Sequence, residues 1–282
     1  MVVDPGESAA HAEAATHGKI LVVLPTLGER IDLLAETLAT VAHQRTQVDL
    51  TLVVILPARA VQARTLAKTF DAVILDDPGR GISEAINVGV RAATDERYYA
   101  WIGDDDLFRD GGLRLLRDLL DADPTAVVAY GGCDYVDPQG RTIGTSRAGR
   151  AARWLLPGGP DLIPHPGSII RLDALRAVGL FDSSLKYAMD LDAFLSLRRY
   201  GRFLSTRTSV SAFRWHPDSL TVANRAGSSR EAREVKARHL PGWLRPISPV
   251  WSMPVAWSAA VAAAAVTRRA RRLASETTRE KS

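Results

Sequence analysis

The chain has 282 residues, 46% of them hydrophobic and 24% charged, which is enough for a large buried core and too apolar for a disordered chain. Its single cysteine, Cys133, excludes an internal disulfide framework and a cysteine-based zinc cluster, and suits a small core residue in a reducing compartment. The net charge of +4 is uneven: residues 1 to 222 carry 24 Lys and Arg against 28 Asp and Glu, whereas residues 223 to 282 carry 12 against 4. The basicity therefore belongs to the C-terminal segment. It is not interleaved with aromatics on the body, which argues against a nucleic-acid partner.

Residues 1–17 are rich in alanine and lack the basic start and apolar core of a signal peptide, so a disordered lead-in is expected. From Lys19 to Pro25 a short apolar run closes on proline, and Ile31, Leu34, Leu38 and Val41 then recur at helical spacing. The alternation continues with strands at Leu50 to Leu56, Ala72 to Leu75 and Tyr98 to Ile102, and helices at Ala60 to Phe70 and Ile82 to Ala93. This pattern predicts an α/β fold, a mostly parallel central sheet with helices on both faces. A helix through Leu113, Leu116 and Leu120, a buried strand from Ala126 to Tyr130, and a hairpin turning at Asp137-Pro138-Gln139-Gly140 follow. Ser146 to Pro166, rich in Gly, Arg and Pro, reads as a long functional loop or lid rather than a core element. Helices at Leu172 to Val178 and Ala188 to Arg199 and a strand near Thr208 to Arg214 complete the body.

Three consecutive carboxylates, Asp104, Asp105 and Asp106, follow the strand ending at Ile102 and the single Gly103. Adjacent carboxylates repel unless a cation neutralises them, and hard divalent ions take oxygen ligands of this kind. Ligands also bind at the C-terminal ends of strands in open α/β sheets. The triplet is thus a candidate metal and phosphate site, with a solvated acidic turn as the alternative.

Upstream, Asp77-Pro78-Gly79-Arg80-Gly81 leads into a helix that places Ser83 and Asn87 on one face and the small pair Ala85 and Gly89 on another. The first pair could meet a phosphate or sugar hydroxyl, and the second allows close packing. The spacing fits neither a dinucleotide fingerprint nor a P-loop. Downstream, Asp190 and Asp192 stand two apart at the start of a helix and so point to different sides, one as a helix cap and the other as a candidate general base. His165 and His216 lie outside regular structure, and an EF-hand starting at Asp106 fails because Phe108 and Arg117 occupy ligand positions.

Taken in order, Pro25-Thr26, Asp77 to Ser83 with Asn87 and Gly89, Asp104-Asp105-Asp106, His165-Pro166-Gly167-Ser168, Gly179-Leu180-Phe181-Asp182 and Met189-Asp190-Leu191-Asp192 resemble the family 2 glycosyltransferases over about Lys19 to Ser219. The resemblance implies a GT-A fold, with a nucleotide-sugar half at 18–132, an acceptor half at 133–240 and a basic, Ala-rich helical tail at 241–282. It implies a divalent cation, Mn²⁺ or Mg²⁺, on Asp104 and Asp106. Donor contacts would come from Pro25, Thr26, Asp77, Gly81, Asn87, Asp104, Asp105 and His216, with His165 and Ser168 near a sugar. Asp190 would be the base that deprotonates an acceptor hydroxyl for single-step, inverting transfer, and Asp192 is its rival.

Three departures from the family pattern stand out. Pro57-Ala58-Arg59 replaces an Asp and Ser pattern after the second strand, Met189-Asp190 replaces Glu-Asp, and Ser211 stands where processive synthases carry Gln before Arg-Trp. The last departure, with no multi-span region, predicts a single-addition transferase, and the resemblance implies a nucleoside-diphosphate sugar donor, a glycan or lipid-linked acceptor and a role in cell-surface polysaccharide synthesis.

Val250 to Thr267 is uncharged, carries Trp251 and Trp257, and precedes Arg268, Arg269, Arg271 and Arg272. Pro254 and the alanines weaken it as a span, so the expectation is a helix at an anionic membrane surface on a cytoplasmic protein, or one packed on the body or a second subunit. Two other functions compete. A sugar nucleotidyltransferase would need a Gly-rich basic loop where Thr26-Leu27-Gly28-Glu29-Arg30 stands, and a non-catalytic nucleotide-sugar-binding protein would keep the aspartates without a base.

Overall fold

Strand β1 (Ile20–Pro25) is apolar on successive residues because both of its faces are covered. The computed structural model describes residues 17–147, 149–215 and 224–247. Ile20, Val22 and Leu24 pack on one side with Leu34, Leu38 and Val41 of helix α1 (Ile31–Arg45). Leu21 and Val23 face the other side, toward Ala85, Ile86 and Val90 of helix α3 (Ile82–Arg91). Each fully buried aliphatic contributes about 1.5–3 kcal/mol, so this strand anchors both cores.

Strands β2 (Leu50–Leu56) and β3 (Val73–Asp76) extend the parallel sheet on one side of β1, and β4 (Tyr98–Trp101) pairs with β1 on the other. Helix α2 (Val61–Lys68) covers the α1 side through Ala63 and Ala67. Helix α3 approaches closely at Gly89, where a Cβ would fall 2.7 Å from Val23 Cγ1 and 2.9 Å from Ile55 Cδ1. The small-residue face expected of this helix is a packing face.

Beyond β4 the sheet becomes mixed. The full order is β3-β2-β1-β4-β8-β6-β9-β5, where β5 is Leu107–Phe108, β6 Ala126–Val136, β8 Ser168–Arg171 and β9 Arg202–Arg214. Strand β8 runs antiparallel to both β4 and β6, whereas β6 and β9 are parallel. Strand β7 (Thr142–Ser146) pairs with β6 through the expected hairpin, whose Asp137 carboxylate accepts from the backbone N–H of Gln139 and Arg141. Residue 132 lies inside β6, so the two halves divided there share one sheet.

Helix α4 (Gly112–Ala122) buries the expected Leu113, Leu116 and Leu120. The segment from Ser146 to Pro166 differs from the open loop expected of it. It contains helix α5 (Ala152–Leu155), and Ala152, Leu156 and Ile163 join the core while Trp154 is 69% exposed. Three apolar side chains spread among glycines carry no periodicity, yet they suffice to pin the segment. Helices α6 (Leu172–Ala177) and α7 (Met189–Leu197) match their expected ranges closely. Helix α8 (Arg225–His239) was not foreseen, since its one fully buried apolar residue is Val235.

Cys133 is buried, and burial pushes its thiol up to about 12, as suits an inert core residue. No helix among the described residues is long and apolar enough to cross a membrane. The lead-in before His17 and the Val250 to Thr267 stretch lie outside the described residues.

Candidate active site

The parallel register that sets Val23 beside Trp101 carries the ends of β1 and β4 to the same edge of the sheet. Thr26 and Asp104 meet there, and the Thr26 hydroxyl donates to Asp104 Oδ2 at 2.5 Å. Buried polar groups of α1 hold the chain that follows: Thr37 donates to the Asp106 carbonyl at 2.8 Å and Gln44 to that of Arg109 at 3.0 Å. From the other side, β5 pairs with β9 and brings Arg214 in, whose backbone N–H donates to Asp106 Oδ1 at 3.0 Å. The Arg214 side chain is buried and ties this edge together, donating to the carbonyls of Asp105 and Pro138 and pairing with Glu36 at 2.5 Å.

A second arginine lies on the carboxylates themselves. Arg30 donates through Nη2 to Asp104 Oδ1 at 2.5 Å and through Nη1 to Asp105 Oδ2 at 2.6 Å. Burial works against its charge, but Asp104 and Asp105 outweigh that and hold the guanidinium above its ordinary pKa. Burial raises the Asp104 carboxyl despite Thr26 and Arg30, and it raises Asp106 well above the usual range with Asp105 adding to the effect.

Three carboxylates exceed what Arg30 can neutralise. Gly103 lets two of them lean together, since a Cβ there would come within 3.1 Å of Asp106 Oδ2 and 3.2 Å of Asp105 Oδ1. Carboxylate oxygens are hard donors of the kind a divalent cation such as Mn²⁺ or Mg²⁺ takes. A different cluster, His17, Asp118 and Asp121, sits near the opposite, N-terminal end of β1. Arg117 pairs with Asp118 at 2.7 Å, and Tyr98 donates to Asp121 at 2.5 Å.

Asp190 and Asp192 leave α7 in different directions, as their spacing requires. Asp192 Oδ1 lies 2.8 Å from His239 Nε2 on α8. Asp190, 23% exposed in its side chain, places Oδ2 3.2 Å from Nδ1 of buried His165. That contact lacks hydrogen-bond alignment, and burial lowers the imidazole pKa despite Asp190, so His165 is a neutral neighbour. The His165 ring meets Trp101 edge-on at 4.4 Å and lies 6.0 Å from Phe181.

Around this ring, Tyr99 OH and Trp101 Nε1 are buried with no hydrogen-bond partner among the described residues. The Tyr99 phenol is raised well above its ordinary pKa by burial and then by the Asp190 charge. Asp161 is exposed, and the protein around it and the Asp190 charge raise its carboxyl against the pull of Lys236. Asp190 is therefore a solvent-accessible carboxylate beside buried polar groups.

The start of α7 is held by α8. Glu231 Oε1 accepts from the backbone N–H of Lys186, Tyr187 and Ala188 at 3.0, 2.6 and 2.7 Å. This carboxylate fixes the turn on which Asp190 stands. Sequence reasoning missed Glu231, Arg30 and Arg214. Arg30 had a readable signal, a lone basic residue just past the first strand, but Glu231 had none.

Other sequence-derived candidates are placed differently. Asn87 forms a reciprocal pair with the Phe181 backbone, donating at 2.8 Å and accepting at 3.0 Å, so its amide is engaged in holding the 179–182 turn rather than open to a donor. Ser83 donates to the Leu185 carbonyl at 2.5 Å, and Ser168 to that of His165 at 2.9 Å. Asp77 accepts from Gly79 N–H at 2.9 Å in a turn, and Gly81 holds φ +95°, a value that favours glycine, with nothing crowding it. Pro25 ends β1 beside Thr26. His216 lies outside the described residues.

Residues 21–176, more than half of the chain, match the family described as Glycosyl transferase family 2. The chain belongs to this family. Its fold is that of solved GT-A glycosyltransferases. Mannosyltransferase PcManGT from Pyrobaculum calidifontis, in complex with GDP-Man and Mn²⁺, is 21% identical with a TM-score of 0.62, over 93% of this chain and 80% of that one. S. aureus TarS 1-349 in complex with UDP-GlcNAc is 16% identical with a TM-score of 0.60, over 78% of this chain and 66% of that one. In the longer S. aureus TarS structure the match covers only 43% of that protein. No curated protein sequence matches this chain.

Proposed function

We propose that this family 2 member is an inverting, metal-dependent enzyme that moves one sugar from a nucleoside-diphosphate donor to a hydroxyl of a glycan or lipid-linked acceptor. The observation that carries the reading is the division between two carboxylate sites, with Arg30 joining Asp104 and Asp105 and the Arg214 backbone holding Asp106 at one, and Asp190 facing His165 while His239 holds Asp192 at the other. Asp190 takes the proton from the acceptor hydroxyl as its oxygen bonds to the anomeric carbon. The bond from that carbon to the diphosphate breaks on the opposite face, so the configuration inverts. A divalent ion on Asp104 and Asp106 would neutralise the charge gathering on the departing diphosphate. Thr26 and Arg30 orient Asp104, and Arg214 orients Asp106.

The basic tail supports a place at the cytoplasmic face of a membrane in cell-surface polysaccharide synthesis, because its tryptophans and arginines suit an anionic interface. Deleting residues 246–282 should then move the protein from the membrane fraction to the soluble one.

The relatives bound to GDP-Man and UDP-GlcNAc make GDP and UDP the nucleotides to try first, with dTDP beside them. At a hundred times its dissociation constant the right one stabilises the fold by about 2.7 kcal/mol, a rise of roughly 5–10 °C in melting temperature with Mn²⁺. No rise with any of the three would contradict the reading.

A further inference from the structure

Arg153 and Arg198 bring two guanidinium groups together without a carboxylate. Arg153, on α5, lies over the rings of Trp154 and Phe203 at 5.2 and 5.6 Å. Its Nη2 donates to the carbonyl of Arg198, the residue that ends α7, at 3.1 Å. The Nε of each arginine is buried and has no hydrogen-bond partner among the described residues. Among the described residues neither arginine pairs with an acidic side chain. Burial and the Arg153 charge lower the pKa of Arg198, the direction expected when like charges are held together without a counterion.

An arginine at a helix C-terminus complements the helix dipole, and that accounts for one charge there. It does not account for two buried Nε–H donors that have no partner among the described residues. Buried donors are normally satisfied, and a forked guanidinium matches the oxygens of a phosphate. The same segment carries exposed Arg147 and Arg150 and has no acidic residue before Asp161. Helix α7 sets the distance to the base, since Arg198 follows Asp190 by eight residues, about 12 Å at 1.5 Å per residue.

We propose that Arg153 and Arg198 form a phosphate subsite that holds the phosphate-bearing end of the acceptor while Asp190, at the other end of α7, meets its hydroxyl. The phosphate site stands on its own geometry, and its place on the acceptor rests on Asp190 being the base. Exposed Trp154 offers an apolar surface beside the pair, as a lipid phosphate would use.

Calorimetric titration of the full chain with inorganic phosphate in EDTA tests the subsite apart from any cation at the aspartates. Binding should weaken about tenfold or more in R153Q/R198Q, the loss of one or two charge-assisted hydrogen bonds. Unchanged binding in that variant overturns the proposal. On the wild-type protein, phosphate should protect Arg153 and Arg198 from phenylglyoxal, mapped by mass spectrometry, and equal modification with and without phosphate also overturns it.

The same phenylglyoxal mapping separates the sources, because it reads the two arginines and not the basic tail. Protection by phosphatidylglycerol vesicles but not by glycerol phosphate assigns a lipid phosphate, and protection by glycerol phosphate assigns a soluble phosphorylated acceptor. D190N should bind phosphate as the wild type does. Retained sugar transfer in D190N would sink the base assignment and leave the subsite standing.

Discussion

His239 Nε2 stands 2.8 Å from Asp192 Oδ1, and this contact turns one of two neighbouring carboxylates toward α8. Asp192 ties α7 to α8, whereas Asp190 faces His165 and Asp161. Removing the partly buried Asp192 partner should cost about 1 kcal/mol of stability. D192N is therefore expected to melt about 2–4 °C lower by calorimetry and to keep transfer within a few-fold of wild type.

Glu231 gathers three backbone N–H groups immediately before α7. It touches no reacting atom and acts by positioning Asp190, so its loss should appear in kcat rather than in donor KM. E231A is expected to lower kcat about tenfold or more, since small misplacements of a catalytic group are costly. E231Q, which keeps an acceptor oxygen, should recover part of that loss. A donor KM that rises in step with the fall in kcat would contradict the positioning role.

Arg30 occupies oxygens of Asp104 and Asp105 that a cation would share. It competes with the ion through charge as well as contact. R30A should therefore bind Mn²⁺ more tightly, by up to about tenfold, in an electron paramagnetic resonance titration of free Mn²⁺. Weaker or absent binding would mean that Arg30 helps to build the cation site.

His165 carries a pH dependence whose sign follows from its lowered folded pKa. The group facing its ring nitrogen is Asp190, with Trp101, Phe181 and Phe194 around the ring. The unfolded histidine protonates near pH 6.5 while the buried one resists, so stability is lost as pH falls below about 6.5. Melting curves between pH 5.5 and 7.5 should show this loss in the wild type and a flatter profile in H165N. Parallel profiles would contradict it.

The parallel half of the sheet was legible because β1 and β2 are continuous apolar runs separated by helices with periodic leucines. Strand β8 was not, because a four-residue Ser-Ile-Ile-Arg run becomes a strand only through antiparallel partners on both sides. The polar first half of β9 and the nearly coreless α8 hid for a similar reason, as long-range pairing rather than local pattern forms them. The aspartate triplet drew the eye by charge crowding, but crowding alone left a metal site and a solvated acidic turn equally open. The contacts on it from Arg30 and Arg214 arrive from 74 and 108 residues away, beyond any local spacing. Asn87 shows the converse, a polar residue on the expected face whose partner is the protein's own backbone.

The central claim is that Asp190 is the base, and D190N measured beside D192N tests it most directly. With the donor identified by thermal shift, transfer to acceptor should fall at least about a hundredfold in D190N, as loss of a general base requires, while nucleotide binding with Mn²⁺ is unchanged. D192N should stay near wild type in both. Transfer that survives in D190N and collapses in D192N would contradict the account.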